Sequence, residues 1–181
     1  GYGRIEYAYY LMAQKAGIQM NPCRLLEEGD RAHFMTRRFD RDENNNKIHM
    51  QSLCAIAHYD FNAAGEYAYE QVFEILLKLK LGHEALQQLY RRMVFNVLAR
   101  NQDDHTRNIA FLMDQNGAWR LAPAYDVVWA YNPTGHWTDR HQMGINGKRD
   151  GFTRQDLLAP AKRFDIKGAK KIYDEVAEGV S

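Results

Sequence analysis

The stretch from position 109 to position 126 restricts the possible folds of this chain more than any other. The apolar run Ile109-Ala110-Phe111-Leu112-Met113 leads into Asp114-Gln115-Asn116-Gly117, and Trp119-Arg120-Leu121 comes next. Asn-Gly accepts the positive φ that tight hairpin turns require, so the stretch predicts a β-hairpin. A hairpin brings the chain back to where it started. The residues before its first strand must therefore lie near those after its second. The segment before it is the densest polar cluster of the sequence, Asn101-Gln102-Asp103-Asp104-His105-Thr106-Arg107-Asn108. The segment after it is Ala122-Pro123-Ala124-Tyr125-Asp126. Asp103, Asn108 and Asp126 are thus expected in one region.

Most of the remaining chain has helical periodicity. Apolar residues three and four apart predict helices over residues 5–15, 66–81, 84–100 and 166–176. Gly17 stands where a left-handed cap would end the first. Gly82-His83 is so short a link that the second and third should pack against each other. Thr153 is a candidate cap for a short helix at 154–159. Residues 31–39 suit a strand, 41–47 with Asn44-Asn45-Asn46 a loop tip, and 135–150 a loop-rich stretch. The expected class is α+β, mainly α. Tyr9, Tyr69 and Phe73 are read as core.

Length and charge narrow the function classes. The 181 residues suit one domain, or two small lobes sharing a core, at roughly 150 residues per domain. Lys+Arg number 24 against 23 Asp+Glu, a formal net charge of +1, so direct nucleic-acid binding is not expected. No apolar run approaches the ~20 residues of a membrane helix. Cys23 and Cys54 have no nearby partner cysteine, which argues against a disulfide framework or a thiolate zinc site and for the reducing cytoplasm. The first six residues lack the pattern of a signal peptide.

The polar cluster has a chemical reading. A carboxylate and an amide oxygen suit Mg²⁺, which usually takes one or two protein oxygens and completes its shell with phosphates and water. A further carboxylate can orient a hydroxyl and accept its proton. Together these are the parts of a phosphoryl-transfer site. Asp103 and Asn108 have the D-x-x-x-x-N spacing of protein-kinase catalytic loops. Asp126 comes after the hairpin as the metal-binding aspartate of kinases does, although Tyr125-Asp126-Val127 replaces Asp-Phe-Gly.

NQDDHTRNIAFL followed by LAPAYDVV resembles the HipA family of bacterial serine/threonine kinases, the toxins of type II toxin–antitoxin pairs. EYAYYLMAQKAGI resembles the family's helix near the nucleotide site, TRRFDR its hinge strand, and MGINGKR a stretch beyond the metal-binding aspartate. The resemblance runs from about Glu6 to the C-terminus. It implies a protein-kinase-like C-terminal lobe with a catalytic-loop hairpin and a remnant of the N-lobe and hinge. It also implies ATP, Mg²⁺ and a protein serine or threonine as acceptor, with an aminoacyl-tRNA synthetase one candidate. A HipB-like DNA-binding antitoxin is the implied partner. On this resemblance Asp103 is the catalytic base, and Asn108 and Asp126 hold metal. His105, Arg107 and Tyr125 line the phosphate and metal region, and Arg37, Arg38 and Phe39 form the hinge at adenine. Glu6 matches a glutamate on the helix beside the nucleotide, which in kinases can pair with the ATP lysine. The family's phosphate-binding loop and that lysine precede the helix, where this sequence has only five residues. Residues 1–41 are accordingly expected to be an N-lobe remnant and 42–181 the C-terminal lobe. Arg37 also stands where many members have an acidic residue.

Other readings remain. The same aspartates and asparagines could merely cap and link a helix and a hairpin. The chain could be a kinase-shaped, non-catalytic module that binds an antitoxin. A metal-dependent hydrolase using Asp103, Asp104 and His105 would need more convergent ligands than the motifs supply. His136 and His141, five apart in a loop-rich stretch, do not suggest zinc.

Overall fold

A computed structural model describes residues 1–181. In chain order the elements are α1 (Tyr2–Lys15), β1 (Cys23–Glu28), β2 (Arg31–Thr36), β3 (His49–Ser52), α2 (Leu53–Ile56), α3 (Tyr69–Lys78), α4 (His83–Leu98), β4 (Ala110–Met113), β5 (Trp119–Leu121), α5 (Arg154–Arg163) and α6 (Ala169–Val180). The class is α+β and mainly helical, as the periodicities predict.

The hairpin forms as expected. Phe111 pairs with Leu121 and Met113 with Trp119, antiparallel, and Gly117 takes φ +81° at the turn. β3 adds to the other edge of β4, giving the order β3-β4-β5. Successive residues of β4 face opposite ways. Phe111 joins the main core, while Ala110 and Leu112 meet Ala122, with Phe39, Ile48 and Tyr125 packed around them. β1 and β2 form a separate two-stranded sheet against α1.

The main core holds 27 buried residues drawn from most elements. Tyr9 and Ala13 of α1, Val72, Phe73 and Leu76 of α3, Leu89, Tyr90 and Met93 of α4, and Ile172 and Val176 of α6 share it. The Tyr9 hydroxyl also donates to the Ala99 carbonyl at 2.5 Å, tying α1 to the end of α4. Gly179 lets α6 meet the end of α1. A Cβ there would lie 2.7 Å from the Ala16 backbone nitrogen, too close for any side chain.

Several boundaries differ from the sequence expectation, each for a local reason. α1 begins at Tyr2 rather than Ile5, and Gly17 ends it as expected. Its φ is +74°, and Ile18 N–H reaches back to the Ala13 carbonyl in a Schellman closure. The strand expected over 31–39 stops at Thr36. Arg37 N–H turns to the Pro22 carbonyl, so Arg37, Arg38 and Phe39 lie beyond the ladder. α3 is shorter than 66–81. Gln71 Oε1 accepts the Ala68 N–H at its start, and Lys80, not a glycine, takes the left-handed position at its end (φ +56°). Gly82 instead caps the start of α4.

α4 likewise closes with Arg100 left-handed (φ +53°). Thr153 caps α5 as expected, in a reciprocal box with Asp156, but the helix runs through Pro160 to Arg163. α6 begins only after left-handed Gly168 and runs on to Val180. The sequence reading does not include β1, β3 or the single turn α2. They are short, and in β1 only Cys23 and Leu25 are half-buried, too brief an alternation to stand out among the exposed residues that follow.

Candidate active site

Two closures deliver the polar cluster to one place. α4 ends at Leu98, and beyond the left-handed Arg100 the Asn101 N–H reaches back to the Asn96 carbonyl. Residues 101–108 then cross to β4, whose hairpin returns the chain to Tyr125 and Asp126. The Tyr125 hydroxyl donates to the Arg107 carbonyl and so joins the two ends of this excursion. Asp104, His105, Asn108, Tyr125 and Asp126, with Arg92 behind them, line a cavity of about 30 Å³, room for about one water.

Asp103 and Asp104 are adjacent yet differ completely. Asp104 is 2% exposed. Its Oδ2 accepts hydrogen bonds from the Tyr69 hydroxyl at 3.0 Å and His141 Nδ1 at 2.9 Å, and its Oδ1 accepts Gln142 N–H at 2.8 Å. The network continues: Asn96 Nδ2 donates to the Tyr69 hydroxyl, and Asn101 Nδ2 donates to Asn96 Oδ1. α3, α4 and the 141–142 segment are thereby fastened to the polar cluster. The Asp103 side chain is 46% exposed, and its carboxylate meets only His105 Nε2, at 4.0 Å. Partial burial pushes its pKa up, and the negative charges of Asp126 and Asp104 add to this, while His105 counteracts it.

Glu6 belongs to the same acidic neighbourhood. Burial raises its pKa first, and the charge of Asp126 raises it further. None of the ion pairs involves Glu6 or Asp126, and Asp103 has only the distant histidine. Asp126 therefore lies near both Asp103 and Glu6, and none of the three has a lysine or arginine partner. Asn108 donates its Nδ2 to the Asp103 backbone carbonyl at 3.0 Å, which leaves its Oδ1 as the free end. Asp126 is held in the left-handed region (φ +54°). These features fit a hard divalent cation: bare carboxylate and amide oxygens in a region of unbalanced negative charge. No three His, Cys, Asp or Glu side chains converge into a cage. That is expected where phosphates supply most of the ligands.

Arg37, Arg38 and Phe39 line a different, wider cleft of about 300 Å³ with Pro22, Ile48 and Leu112. Phe39 bridges the two regions by stacking against Tyr125, ring centroids 5.2 Å apart. Arg38 is held by Asp40 at 2.6 and 2.7 Å. The backbone N–H and C=O groups of Arg38 and Phe39 make no backbone hydrogen bond, so they are open to an in-plane partner. Arg107 is exposed, with its guanidinium 3.4 Å from the centroid of the Phe61 ring.

Sequence reasoning missed Tyr69, Arg92, Asn96 and His141 as parts of this region. Arg92 is buried and donates to the Ala122 carbonyl at 2.7 Å; burial lowers its pKa to about 10. It holds the segment that leads into Tyr125-Asp126. An arginine at position 92, on the otherwise apolar buried face of α4, was the one local signal available. Asp104 and its partners are 35 to 38 positions apart, so no short motif contains them.

Comparison with known proteins identifies the family and the fold. A family model described as HipA-like C-terminal domain matches residues 1–181. A Haemophilus influenzae protein described as "Putative kinase" is 32% identical over 103 residues, covering 52% of this chain and 30% of its own length. Among solved structures, HipA of Shewanella oneidensis MR-1, in complex with HipB and operator DNA, superposes with a TM-score of 0.81 at 18% identity. The match covers 98% of this chain and 47% of that one. The Helicobacter pylori proinflammatory kinase CtkA superposes with a TM-score of 0.58 at 13% identity, over 98% of this chain and 81% of that one. The chain thus spans at most about half the length of the first two relatives. No helix is long and apolar enough to cross a membrane.

Proposed function

Because the chain belongs to the HipA-like C-terminal domain family, a kinase-like fold, we propose that it forms the catalytic half of an ATP-dependent protein serine/threonine kinase. The observation that carries this reading is the shared neighbourhood of Asp103, Asn108 and Asp126: Asn108 and Asp126 line one cavity, Asn108 bonds the Asp103 carbonyl, and the charge of Asp126 helps hold the Asp103 pKa up. In this reading Asp103 orients the acceptor hydroxyl and takes its proton. The hydroxyl oxygen bonds to the γ-phosphorus, and the bond from that phosphorus to the β,γ-bridging oxygen breaks, leaving ADP. An upward-shifted carboxylate is the stronger base, and its partial exposure leaves it reachable. Asn108 and Asp126 would hold Mg²⁺, which when bound would offset phosphate charge. Arg107 and His105 flank the same edge. The free backbone groups of Arg38 and Phe39 would take the adenine edge, and Glu6 would pair with a lysine near the phosphates. Positioning and electrostatics would supply most of the acceleration.

A HipB-like protein is the proposed partner, since the Shewanella relative stands in complex with HipB. The net charge of +1 supplies no overall basic excess toward DNA, so the HipB-like partner is the proposed DNA-binding component. The test uses the full-length protein with radiolabelled ATP and a protein acceptor. Asp103→Asn should abolish transfer while Mg²⁺-dependent nucleotide binding survives. Asp126→Asn should weaken that binding. Unchanged transfer by both variants would refute the assignment.

A further inference from the structure

The segment after Asp126 exposes an aromatic group that the phosphoryl-transfer chemistry leaves unused. Trp129 is 49% exposed and Trp137 57%. Tyr131 meets Trp129 edge to face at 6.1 Å, and the Arg100 guanidinium lies 4.6 Å from the centroid of the Tyr131 ring. Two exposed tryptophans in one short segment leave apolar surface in water, which commonly marks a contact surface.

The segment is held firmly beside Asp103. Ala130 N–H donates to the Arg100 carbonyl, and Gln102 N–H donates to the Ala130 carbonyl at 3.0 Å. Residues 101 and 130 form a parallel bridge. Trp129 and Tyr131 therefore flank a residue hydrogen-bonded to the immediate neighbour of Asp103, at about the 5 Å spacing of paired strands. The outer part is closed as well. Asn132 N–H donates to the Thr138 carbonyl, Asn132 Oδ1 accepts the Thr134 N–H and hydroxyl, and Gln142 Nε2 donates to the Trp137 carbonyl. Gln142 is the same residue whose N–H is bound by Asp104. The tryptophans thus stand on a braced loop. Little ordering is lost when a partner lands on it.

We propose that residues 129–137 form the acceptor-docking element, with Trp129 and Trp137 gripping an extended polypeptide segment that carries apolar residues beside the phosphorylated serine or threonine. This rests on the kinase reading of the Asp103 site. If Asp103 takes a proton from a polypeptide hydroxyl, the flanking polypeptide must lie along the surface around Asp103, and the aromatic group is part of that surface. The charge on the patch favours an apolar partner over a charged one: Arg140 is paired with Asp139 at 3.2 Å, and Arg100 is spread over Tyr131. Paired tryptophan and tyrosine anchors are the residues that dominate measured interface energies.

The test uses the full-length protein, Mg²⁺-ATP and a degenerate peptide library with a fixed serine or threonine. Wild type should select apolar residues near the acceptor. Trp129→Ala and Trp137→Ala should flatten that selection and lower kcat/KM for the best peptide by roughly tenfold or more, chiefly through KM. ATP hydrolysis without acceptor and Mg²⁺-ATP affinity should be unchanged. In parallel, binding of the best peptides is followed by tryptophan fluorescence in Asp103→Asn, with and without the tryptophan substitutions. Transfer with unaltered selection in both tryptophan variants overturns the docking role and leaves the kinase reading intact. Tryptophan-dependent peptide binding without transfer by wild type sinks the kinase reading and upholds docking. Neither transfer nor binding overturns both.

Discussion

Asp103 and Asp104 are neighbours in sequence with opposite assignments of solvent, charge and partners. Behind the loop, Asp104 is enclosed and accepts three hydrogen bonds, and its carboxylate fastens α3, α4 and the 141–142 segment together. In front, Asp103, Asp126 and Glu6 are left short of partners, and Asp126 repels each of the other two. The rear holds fixed what the front keeps under tension. A carboxylate that is fully satisfied stabilises the fold and is unavailable for chemistry. One left open is held against its own preference and is available.

The sharpest way to separate the two is by substitution of each aspartate in turn. Asp103→Asn should lower phosphoryl transfer by roughly a thousandfold, the middle of the range for a lost general base, while a thermal melt shifts stability by no more than about 0.5 kcal/mol. Asp104→Ala should do the reverse in kind. It leaves the Tyr69 hydroxyl, His141 and Gln142 N–H without their acceptor, and denaturant unfolding should show a loss of about 3 kcal/mol. Equal stability of the two variants would erase the distinction.

Away from the site, Asp156 is a second satisfied carboxylate, bound by Lys148 at 2.7 Å, Asn146 at 2.9 Å and the Thr153 N–H and hydroxyl. Asp156→Ala removes the capping box and should cost about 1–2 kcal/mol in the same unfolding assay. The smallest effect concerns Lys80, exposed and left-handed at the end of α3. Lys80→Gly should raise stability by about 0.5 kcal/mol, because glycine adopts that φ without strain.

Acidity gives the comparison a sign. Lys148 beside it, with Thr153 and Asn146, holds Asp156 well below the usual carboxylate range. Its folded pKa is lower than its unfolded one, so its contribution is present above the ordinary carboxylate value and fades as pH falls towards the folded value. Asp103 and Glu6 are shifted upward. Their ionisation opposes folding above the raised values, and the opposition disappears as pH falls through them. Melts across this window should therefore find Asp156→Asn less stable than wild type at neutral pH, converging in acid. Glu6→Gln should be equal to or more stable than wild type at neutral pH, also converging in acid. A Glu6→Gln deficit that persists at neutral pH would contradict the unpaired state of that carboxylate.

Much of the site was legible because a hairpin converts sequence spacing into spatial proximity. Once Asn116-Gly117 fixed the turn, Asn108 and Asp126 had to meet, and their side-chain types suggested the chemistry. The helices were legible from their apolar stripes, but their ends were not. Lys80, Arg100 and Asp165 take left-handed closing positions that carry no glycine to announce them. The strands β1 and β3 escaped because they are short and mostly exposed: β1 alternates only over its first four residues and β3 not at all. The Asp104 network was invisible for another reason. Its members lie far apart along the chain, and a buried aspartate reads the same as an exposed one until its donors are seen.

The left-handed backbone at Asp126 narrows the routes by which this chain could decay. Asp, Asn and Gly tolerate that conformation best, and Asn and Gly are each one base change away from Asp. The easiest mutations at this position would thus remove the charge and spare the architecture. If Asp126 holds metal as proposed, a lineage under pressure to silence such a domain could reach a well-folded, inert copy in a single step, still presenting its outer surface to whatever binds it.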